Sequence, residues 1–232
     1  MRPLVISHAA CGGHAPHNTL AGIRKAIDFG SDAIEIDVQV SADGVPVLMH
    51  DLTVDRTTNG SGAVKDLTLA QIQALDTGGE PPPTLEQVLD LTLGRVLLVI
   101  EIKALGIGDE IAAVVHKKNA LKEVMAWSFM PEAIESMRSA EPRIPCGLLI
   151  GGEYMDRWPK MRDKAISLGA QAVSVFSFSV NEDIRHDTQR SGLALYTWTA
   201  DPEDEIRRLI ALGVDGICSN YPDRVVAALA AS

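Results

Sequence analysis

Short apolar runs alternate with helix-length amphipathic segments along the whole chain, and this alternation constrains the fold more than any other feature. Strand-like runs lie at 4–8, 33–38, 96–103, 123–128, 145–151, 172–176, 193–198 and 215–219. Helices are predicted between them, near 18–29, 84–93, 109–120, 131–140, 157–168, 181–191, 202–212 and 222–231. Alternating strands and helices indicate a parallel sheet, and eight such units predict a closed (β/α)8 or TIM barrel. A chain of 232 residues is long enough for one such domain, over residues 1–232.

One strand-like run, residues 45–51, falls outside this alternation. It follows Ala42-Asp43-Gly44, which is typical of a tight turn. We therefore predict a hairpin over residues 38–50 that rises above the second strand. The return strand of this hairpin would bring His50 to the rim of the barrel.

Residues 51–83 are rich in Thr, Gly, Asp and Pro, with one short helical stretch near 68–75. The segment is too long for an ordinary connection between a strand and a helix. In such barrels the chemistry lies at the rim where this segment is inserted, which favours a cap over the substrate. The alternative is a surface insertion without a role in the reaction.

Composition and charge exclude some classes of partner. The net charge is −10 and the sequence pI is about 5.0, which argues against non-specific binding of nucleic acid or acidic membranes. No run of 18 or more apolar residues is present, so we expect no integral membrane association. Three widely spaced cysteines favour reduced thiols and a cytoplasmic location. The expected partner is a small molecule, and the oligomeric state has no signal in the sequence.

Acidic side chains occur at alternate positions of the second strand, in the run AIEIDVQV. Because strand side chains alternate, Glu35 and Asp37 point the same way, while their apolar neighbours point to the other face. Two carboxylates in water-poor surroundings repel each other and resist ionisation, and a divalent cation removes that conflict. Glu101 lies at the same end of the next barrel strand. The three acids predict a Mg²⁺ or Ca²⁺ site, and the alternative is that they pair with Arg or Lys.

Two histidines and a lysine lie at the same rim. His8 and His50 titrate near neutrality and are predicted to act as acid and base, although either could be structural. Lys103 shares a face with Glu101 and would contact an anionic phosphoryl group or merely balance the acids. Trp198, at the end of the seventh strand, would either pack or stack on a substrate group. Cys11 is interpreted as a small residue in a Gly-rich loop rather than a nucleophile.

An ordered series of short motifs spans essentially the whole chain. These motifs are His8, Pro16-His17-Asn18-Thr19-Leu20, Gly30-Ser31-Asp32-Ala33-Ile34-Glu35-Ile36-Asp37-Val38, Asp43-Gly44, His50-Asp51, Asp55-Arg56-Thr57-Thr58-Asn59-Gly60, Pro83-Thr84-Leu85-Glu86, Glu101-Ile102-Lys103, Ser128-Phe129, Trp198-Thr199 and Asn220-Tyr221-Pro222. In this order, the series resembles the glycerophosphodiester phosphodiesterase family.

This resemblance implies a phosphodiesterase barrel that uses a divalent metal and releases glycerol 3-phosphate and an alcohol. The family's metal carboxylates correspond to Glu35, Asp37 and Glu101. Its paired histidines correspond to His8 and His50, and its phosphate-contacting lysine corresponds to Lys103.

The chain departs from the family pattern at two positions. Ala9 stands where an arginine is usual, and His17 stands where a glutamate is usual. We hypothesise that His14 or His17 supplies the lost positive charge or hydrogen bond. The departures leave two alternatives, a phosphodiesterase for another headgroup (a lysophospholipid or a sugar phosphodiester) and a non-catalytic barrel that binds phosphoryl ligands.

Overall fold

The computed structural model describes residues 2–231, in which eight parallel strands close into a barrel. Hydrogen bonding runs around the ring until the first strand pairs with both the second and the last. The predicted TIM barrel is therefore confirmed. The ring strands are β1 (Leu4–Ser7), β2 (Ala33–Val40), β4 (Leu97–Ile102), β5 (Val124–Ser128), β6 (Cys146–Ile150), β7 (Ala172–Phe176), β8 (Ala194–Trp198) and β9 (Gly216–Ser219), and β3 (Pro46–Leu48) lies outside the ring.

A helix follows every ring strand and packs on the outside of the barrel. These helices are α1 (Leu20–Asp28), α3 (Leu85–Thr92), α4 (Gly108–Lys117), α5 (Pro131–Ala140), α6 (Trp158–Ser167), α7 (Glu182–Arg190), α8 (Glu203–Leu212) and α9 (Pro222–Ala230), and α2 (Leu69–Gln73) belongs to the insertion. Helix α1 begins after Thr19, whose hydroxyl accepts a hydrogen bond from the Gly22 amide at 3.1 Å. Helix α8 ends at Gly213, whose φ of 79° is the left-handed conformation that favours glycine.

The alternation of strand side chains creates two separate apolar layers. Ile34, Ile36 and Val38 of β2 point outward into a large core shared with the surrounding helices, as the sequence predicts. A smaller core fills the inside of the barrel and includes Val99 and Trp127. The inner layer supports the carboxyl ends of the strands, where the polar side chains collect.

The predicted hairpin is present, since β3 pairs with β2 in antiparallel register with Val38 opposite Leu48. The following insertion has a small core of its own, formed by Val47, Met49, Val54, Val64 and Ile72. Its short helix α2 begins at Thr68 in a capping box. The insertion also reaches the first turn of α1, where the Glu80 carboxylate accepts a hydrogen bond from the Ala21 amide at 2.8 Å. No helix within residues 2–231 has both the length and the apolar character needed to cross a membrane.

Candidate active site

Three carboxylates meet at the carboxyl ends of β2 and β4. Asp37 and Glu101 are direct register partners on these neighbouring parallel strands. Together with Glu35 they offer oxygen atoms that all lie within 4.8 Å of one another, and all three residues are buried. An all-oxygen donor set of this kind suits a hard divalent cation. The structure therefore brings together the three acids that the sequence indicates.

The hydrogen bonds that residues 2–231 make around the carboxylates leave one buried oxygen without a donor. One Glu35 oxygen accepts a hydrogen bond from the Ala9 amide at 2.7 Å, while the buried Glu35 Oε1 has no hydrogen-bond partner among these residues. Asp37 accepts from the Asn18 side-chain amide at 2.7 Å. A buried carboxylate oxygen without a donor is costly, and a metal ion at this point would satisfy it. The residues present therefore fit a divalent metal.

Burial and mutual repulsion disfavour the charged form of these acids. The pKa of Glu35 is raised well above its ordinary value, chiefly by desolvation and then by the charges of Asp37 and Glu101. Desolvation and the charge of Asp37 also raise the pKa of Glu101. Both shifts describe the protein without a cation, and a bound cation would favour the deprotonated acids.

Lys103 is the positive group closest to the acids. Its Nζ lies 2.7 Å from Glu101 Oε1 and 3.5 Å from Asp37 Oδ1. Burial alone would lower the pKa of this ammonium group, but the charges of Glu101 and Asp37 raise it above its ordinary value. Lys103 therefore remains charged at the edge of the carboxylate cluster.

His8 lies on the other side of the carboxylates, directly after β1. Its Nε2 is 4.0 Å from Glu35 Oε2, and its Nδ1 is 2.8 Å from Asn220 Oδ1. Asn220 in turn donates from its side-chain amide to Asp201 at 2.8 Å. The hydrogen bond to Asp201 orients the Asn220 side chain so that its amide oxygen points toward His8. The Nδ1–H of the His8 ring therefore donates to this oxygen, and Nε2 faces the site.

His50 follows β3 and is held by charged neighbours. Its Nδ1 lies 2.6 Å from Asp51 Oδ1, and Arg56 Nε donates to the other Asp51 oxygen at 2.5 Å. The Gln39 side chain on β2 donates to the backbone carbonyl of Asp51 and fixes the loop. The Arg56 guanidinium and His50 hold the pKa of Asp51 below its usual range. The hairpin therefore brings His50 to the rim with one ring nitrogen already engaged.

Trp198 is half-buried at the mouth and belongs to an aromatic cluster. Its indole N–H donates to the Ser174 carbonyl at 3.1 Å. Its ring meets Phe129 and Phe176 edge-on, at centroid distances of 5.0 and 5.8 Å. Cys11 is buried, and desolvation raises the pKa of its thiol, which supports its interpretation as a small loop residue rather than a nucleophile.

The structure separates the two histidines of the first loop. His14 lies away from the acids, with Nε2 2.7 Å from Asp223 and its ring against Phe29. His17 lies near the catalytic candidates: desolvation and the charge of His8 lower the pKa of its imidazole, and the charge of Asp37 opposes this shift. Gly12 leaves room for the His17 ring, since a Cβ at position 12 would lie 2.7 Å from His17 Nε2.

Asn18 and Asn220 hold site residues directly, although the sequence analysis assigns neither of them a role in the site. Asn18 binds Asp37 through two hydrogen bonds, one from its side-chain amide and one to its side-chain oxygen. Its φ of 58° is the left-handed conformation that asparagine tolerates better than most residues. The sequence does contain a signal for each residue. Asn18 directly precedes the residue that caps α1, and Asn220 directly follows the last strand, at the rim where polar side chains collect.

An open cleft of about 650 Å³ lies beside the cluster and is lined by residues including His50, Lys103, Leu52, Leu105 and Met130. A second cavity of about 260 Å³ lies at the opposite end of the barrel. Its lining contains no acid and no histidine. The cleft at the carboxyl ends of the strands is therefore the candidate substrate site.

This fold and site define a barrel phosphodiesterase of the metal-assisted class. The family model for the glycerophosphoryl diester phosphodiesterase family matches residues 8–224. A glycerophosphodiester phosphodiesterase of Caldanaerobacter subterraneus subsp. tengcongensis is 34% identical, over 97% of each chain. One of Bacillus subtilis is 30% identical, over 96% of this chain and 85% of its own. The chain belongs to the glycerophosphoryl diester phosphodiesterase family.

Solved structures show the same architecture. A glycerophosphodiester phosphodiesterase of Agrobacterium tumefaciens superposes with a TM-score of 0.87 at 27% identity, covering 98% of this chain and all of its own. A phosphodiesterase of Oleispira antarctica, solved with the product sn-glycerol-3-phosphate, gives a TM-score of 0.85 at 26% identity. That match covers 99% of this chain and 97% of the other.

Proposed function

We propose that the protein hydrolyses glycerophosphodiesters to glycerol 3-phosphate and an alcohol, with Mg²⁺ or Ca²⁺ as the metal. The observation that carries the proposal is the convergence of three buried carboxylates with His8, His50 and Lys103 at one mouth of the barrel. The product bound in the Oleispira antarctica structure supports the same substrate class.

Glu35, Asp37 and Glu101 would hold the metal, whose chemistry is Lewis-acid stabilisation of negative charge on a phosphoryl oxygen. Lys103 contributes a second positive charge beside the same oxygen atoms. The sign of this charge matters, because the protein as a whole is acidic and attracts an anionic diester only through local positive groups.

His8 and His50 share the proton transfers. One imidazole removes the proton from a hydroxyl, which we propose is the neighbouring hydroxyl of the glycerol itself. That oxygen attacks phosphorus, the bond from phosphorus to the departing alcohol breaks, and the other imidazole donates a proton to the alcohol oxygen. The product of this step is a cyclic phosphodiester of glycerol. Water then attacks its phosphorus and opens the ring, and the two imidazoles transfer protons in the reverse sequence. Each histidine contributes on the order of 10²–10⁴-fold to the rate.

Three further residues or segments complete the proposal. Trp198 contributes an aromatic face at the mouth for the substrate. His17, rather than His14, donates a hydrogen bond to the phosphoryl group. The insertion of residues 51–83 covers the substrate, because its residues Leu52 and Thr53 line the open cleft together with His50 and Lys103.

The three free buried cysteines support a cytoplasmic location.

The test is a diester screen with and without chelator, using glycerophosphocholine and glycerophosphoethanolamine and measuring glycerol 3-phosphate. We expect release of glycerol 3-phosphate that EDTA abolishes and excess Mg²⁺ or Ca²⁺ restores. His50→Ala should abolish turnover while the circular dichroism spectrum is retained. Absence of hydrolysis of any diester by the metal-loaded protein would instead favour a non-catalytic barrel that binds phosphoryl ligands.

A further inference from the structure

Large apolar side chains are exposed around the mouth of the barrel. Seven such side chains are exposed within the described part of the chain, and five of them lie on loops that follow successive strands from β3 to β7. The other two of the seven, Leu97 and Ile166, lie away from the mouth, at the start of β4 and on α6. The five are Leu52, Leu105, Phe129, Tyr154 and Phe178. Their concentration at one end of the barrel is not expected of scattered surface residues.

Two of these side chains, Leu52 and Leu105, line the cleft beside the reaction centre. The cleft of about 650 Å³ begins at His50 and Lys103 and is walled further out by Leu52, Leu105 and Met130. Leu52 is 66% exposed and Leu105 is 59% exposed. A diester whose phosphoryl group sits at Lys103 would therefore extend one of its arms along an apolar wall.

The aromatic part of the mouth extends the apolar surface. Phe129 follows β5 and contacts Trp198, which contacts Phe176, which lies 5.7 Å from Phe178 between ring centroids. A small polar headgroup can contact the Trp198 ring but covers little of the apolar surface that Leu52, Leu105 and Phe178 expose. An attached hydrocarbon chain covers more of this surface, and burial of apolar surface drives its association.

We propose that this cleft holds the acyl chain of a 1-monoacyl glycerophosphodiester, so that the preferred substrates are lysophospholipids. This inference rests on the proposed function. An acyl group on the first glycerol carbon leaves the neighbouring hydroxyl free to attack phosphorus. Hydrolysis then adds one water, breaks the bond from phosphorus to the headgroup oxygen and gives 1-acylglycerol 3-phosphate and the headgroup alcohol. A diacyl phospholipid lacks the free hydroxyl and should not react.

A lipid bilayer is the other structure that an apolar rim could contact. The net charge of −10 opposes approach to acidic bilayers. Leu52 and Leu105 line the same cleft as His50 and Lys103, which places them within reach of a substrate bound there. Short-chain substrates kept below their micelle concentration separate the two cases, because they present a chain without a bilayer.

The experiment measures kcat/KM for glycerophosphocholine and for its 1-butanoyl, 1-hexanoyl and 1-octanoyl derivatives, all monomeric. For the wild type, kcat/KM should rise on the order of tenfold for each two methylenes that enter the cleft. Leu52→Ser and Leu105→Ser should flatten this dependence on chain length. Ile166→Ser is the matched control, because Ile166 is a 48% exposed apolar residue on α6 and should leave the dependence intact. Thermal unfolding verifies that each variant is folded.

The outcomes separate the two proposals. A flat chain-length dependence in the wild type, with glycerophosphocholine still hydrolysed, would overturn the acyl site and leave the proposed function standing. A steep dependence that persists in both leucine variants would place the chain elsewhere and also overturn it. A gain that appears only when vesicles are present would show bilayer docking instead. Hydrolysis of none of these diesters would contradict the proposed function itself.

Discussion

Asp37 and Glu101 face each other directly across the parallel strands β2 and β4, with both side chains buried. Two acids in register on neighbouring strands destabilise a sheet unless a positive charge lies between or beside them. Lys103 is the only lysine or arginine within ion-pair distance of either acid in residues 2–231. One ammonium group beside three carboxylates leaves an excess of negative charge, which explains why this end of the barrel fits a divalent cation.

Metal binding should therefore stabilise the protein, and Glu35→Gln should remove most of that effect. We expect Mg²⁺ or Ca²⁺ at about 100 times its dissociation constant to stabilise the wild type by about 2.7 kcal/mol. Glu35→Gln removes one ligand charge and also relieves the repulsion that raises the pKa of Glu35. The variant should have a higher melting temperature than the wild type in EDTA and a much smaller rise on addition of metal.

Glu135→Gln is the matched control for this substitution. Glu135 lies on α5, is 57% exposed in its side chain and pairs only with Lys164 among the ion pairs of the described chain. This variant should respond to metal as the wild type does. If Glu35→Gln kept the full metal-induced rise in melting temperature, the three carboxylates would not be the metal site.

The stability of the metal-free protein should fall as pH rises above the ordinary range of a glutamate. Glu35 and Glu101 have raised pKa values in the folded protein, so the folded state holds more protons than the unfolded chain in this range. Stability then decreases with rising pH until the folded groups also ionise. Thermal unfolding in EDTA across pH 5–8 should show a steeper decline for the wild type than for Glu35→Gln. Equal slopes in the two proteins would contradict the assignment.

The barrel and the catalytic candidates can be predicted from the sequence because both depend on local periodicity. Alternation along a strand places Glu35 and Asp37 on one face, and the chain order of strands places Glu101 beside them. The roles of Asn18 and Asn220 could not be predicted in this way. Asn220 lies 212 positions from His8, and only closure of the barrel brings its amide oxygen to the imidazole. The choice between His14 and His17 likewise depends on the path of the first loop.

Asn220→Ala should lower kcat more than it raises KM. The asparagine contacts His8 Nδ1 rather than the cleft, so its loss frees the imidazole to rotate and to change tautomer. We expect a loss of about 10–100-fold, the size typical of partners that orient a functional histidine. Steady-state kinetics of Asn220→Ala, His8→Ala and the double variant test this. If Asn220 acts through His8, the second substitution should add little, and fully additive losses would show an independent role.

His17→Ala should weaken binding of the phosphoryl group, whereas His14→Ala should not. The His17 ring lines a small pocket together with His50, and the charges of His8 and Asp37 act on the pKa of its imidazole. Within the described residues this imidazole has no hydrogen-bond partner. A neutral imidazole that donates one N–H to a phosphoryl oxygen stabilises the bound anion by about 1.5–3 kcal/mol. The inhibition constant for glycerol 3-phosphate should therefore rise by roughly 10–100-fold in His17→Ala, with a parallel rise in KM.

His14 provides the matched histidine control for this measurement, because it lies in the same loop but is bound to Asp223. His14→Ala should reduce the melting temperature without changing the inhibition constant for glycerol 3-phosphate. His17→Gln should retain part of the affinity, since its amide can still donate a hydrogen bond. If His14→Ala and His17→Ala both had the same inhibition constant as the wild type, His17 would not contact the phosphoryl group. The first loop, in which Ala9 and His17 depart from the family pattern, would then affect phosphoryl binding through its backbone alone.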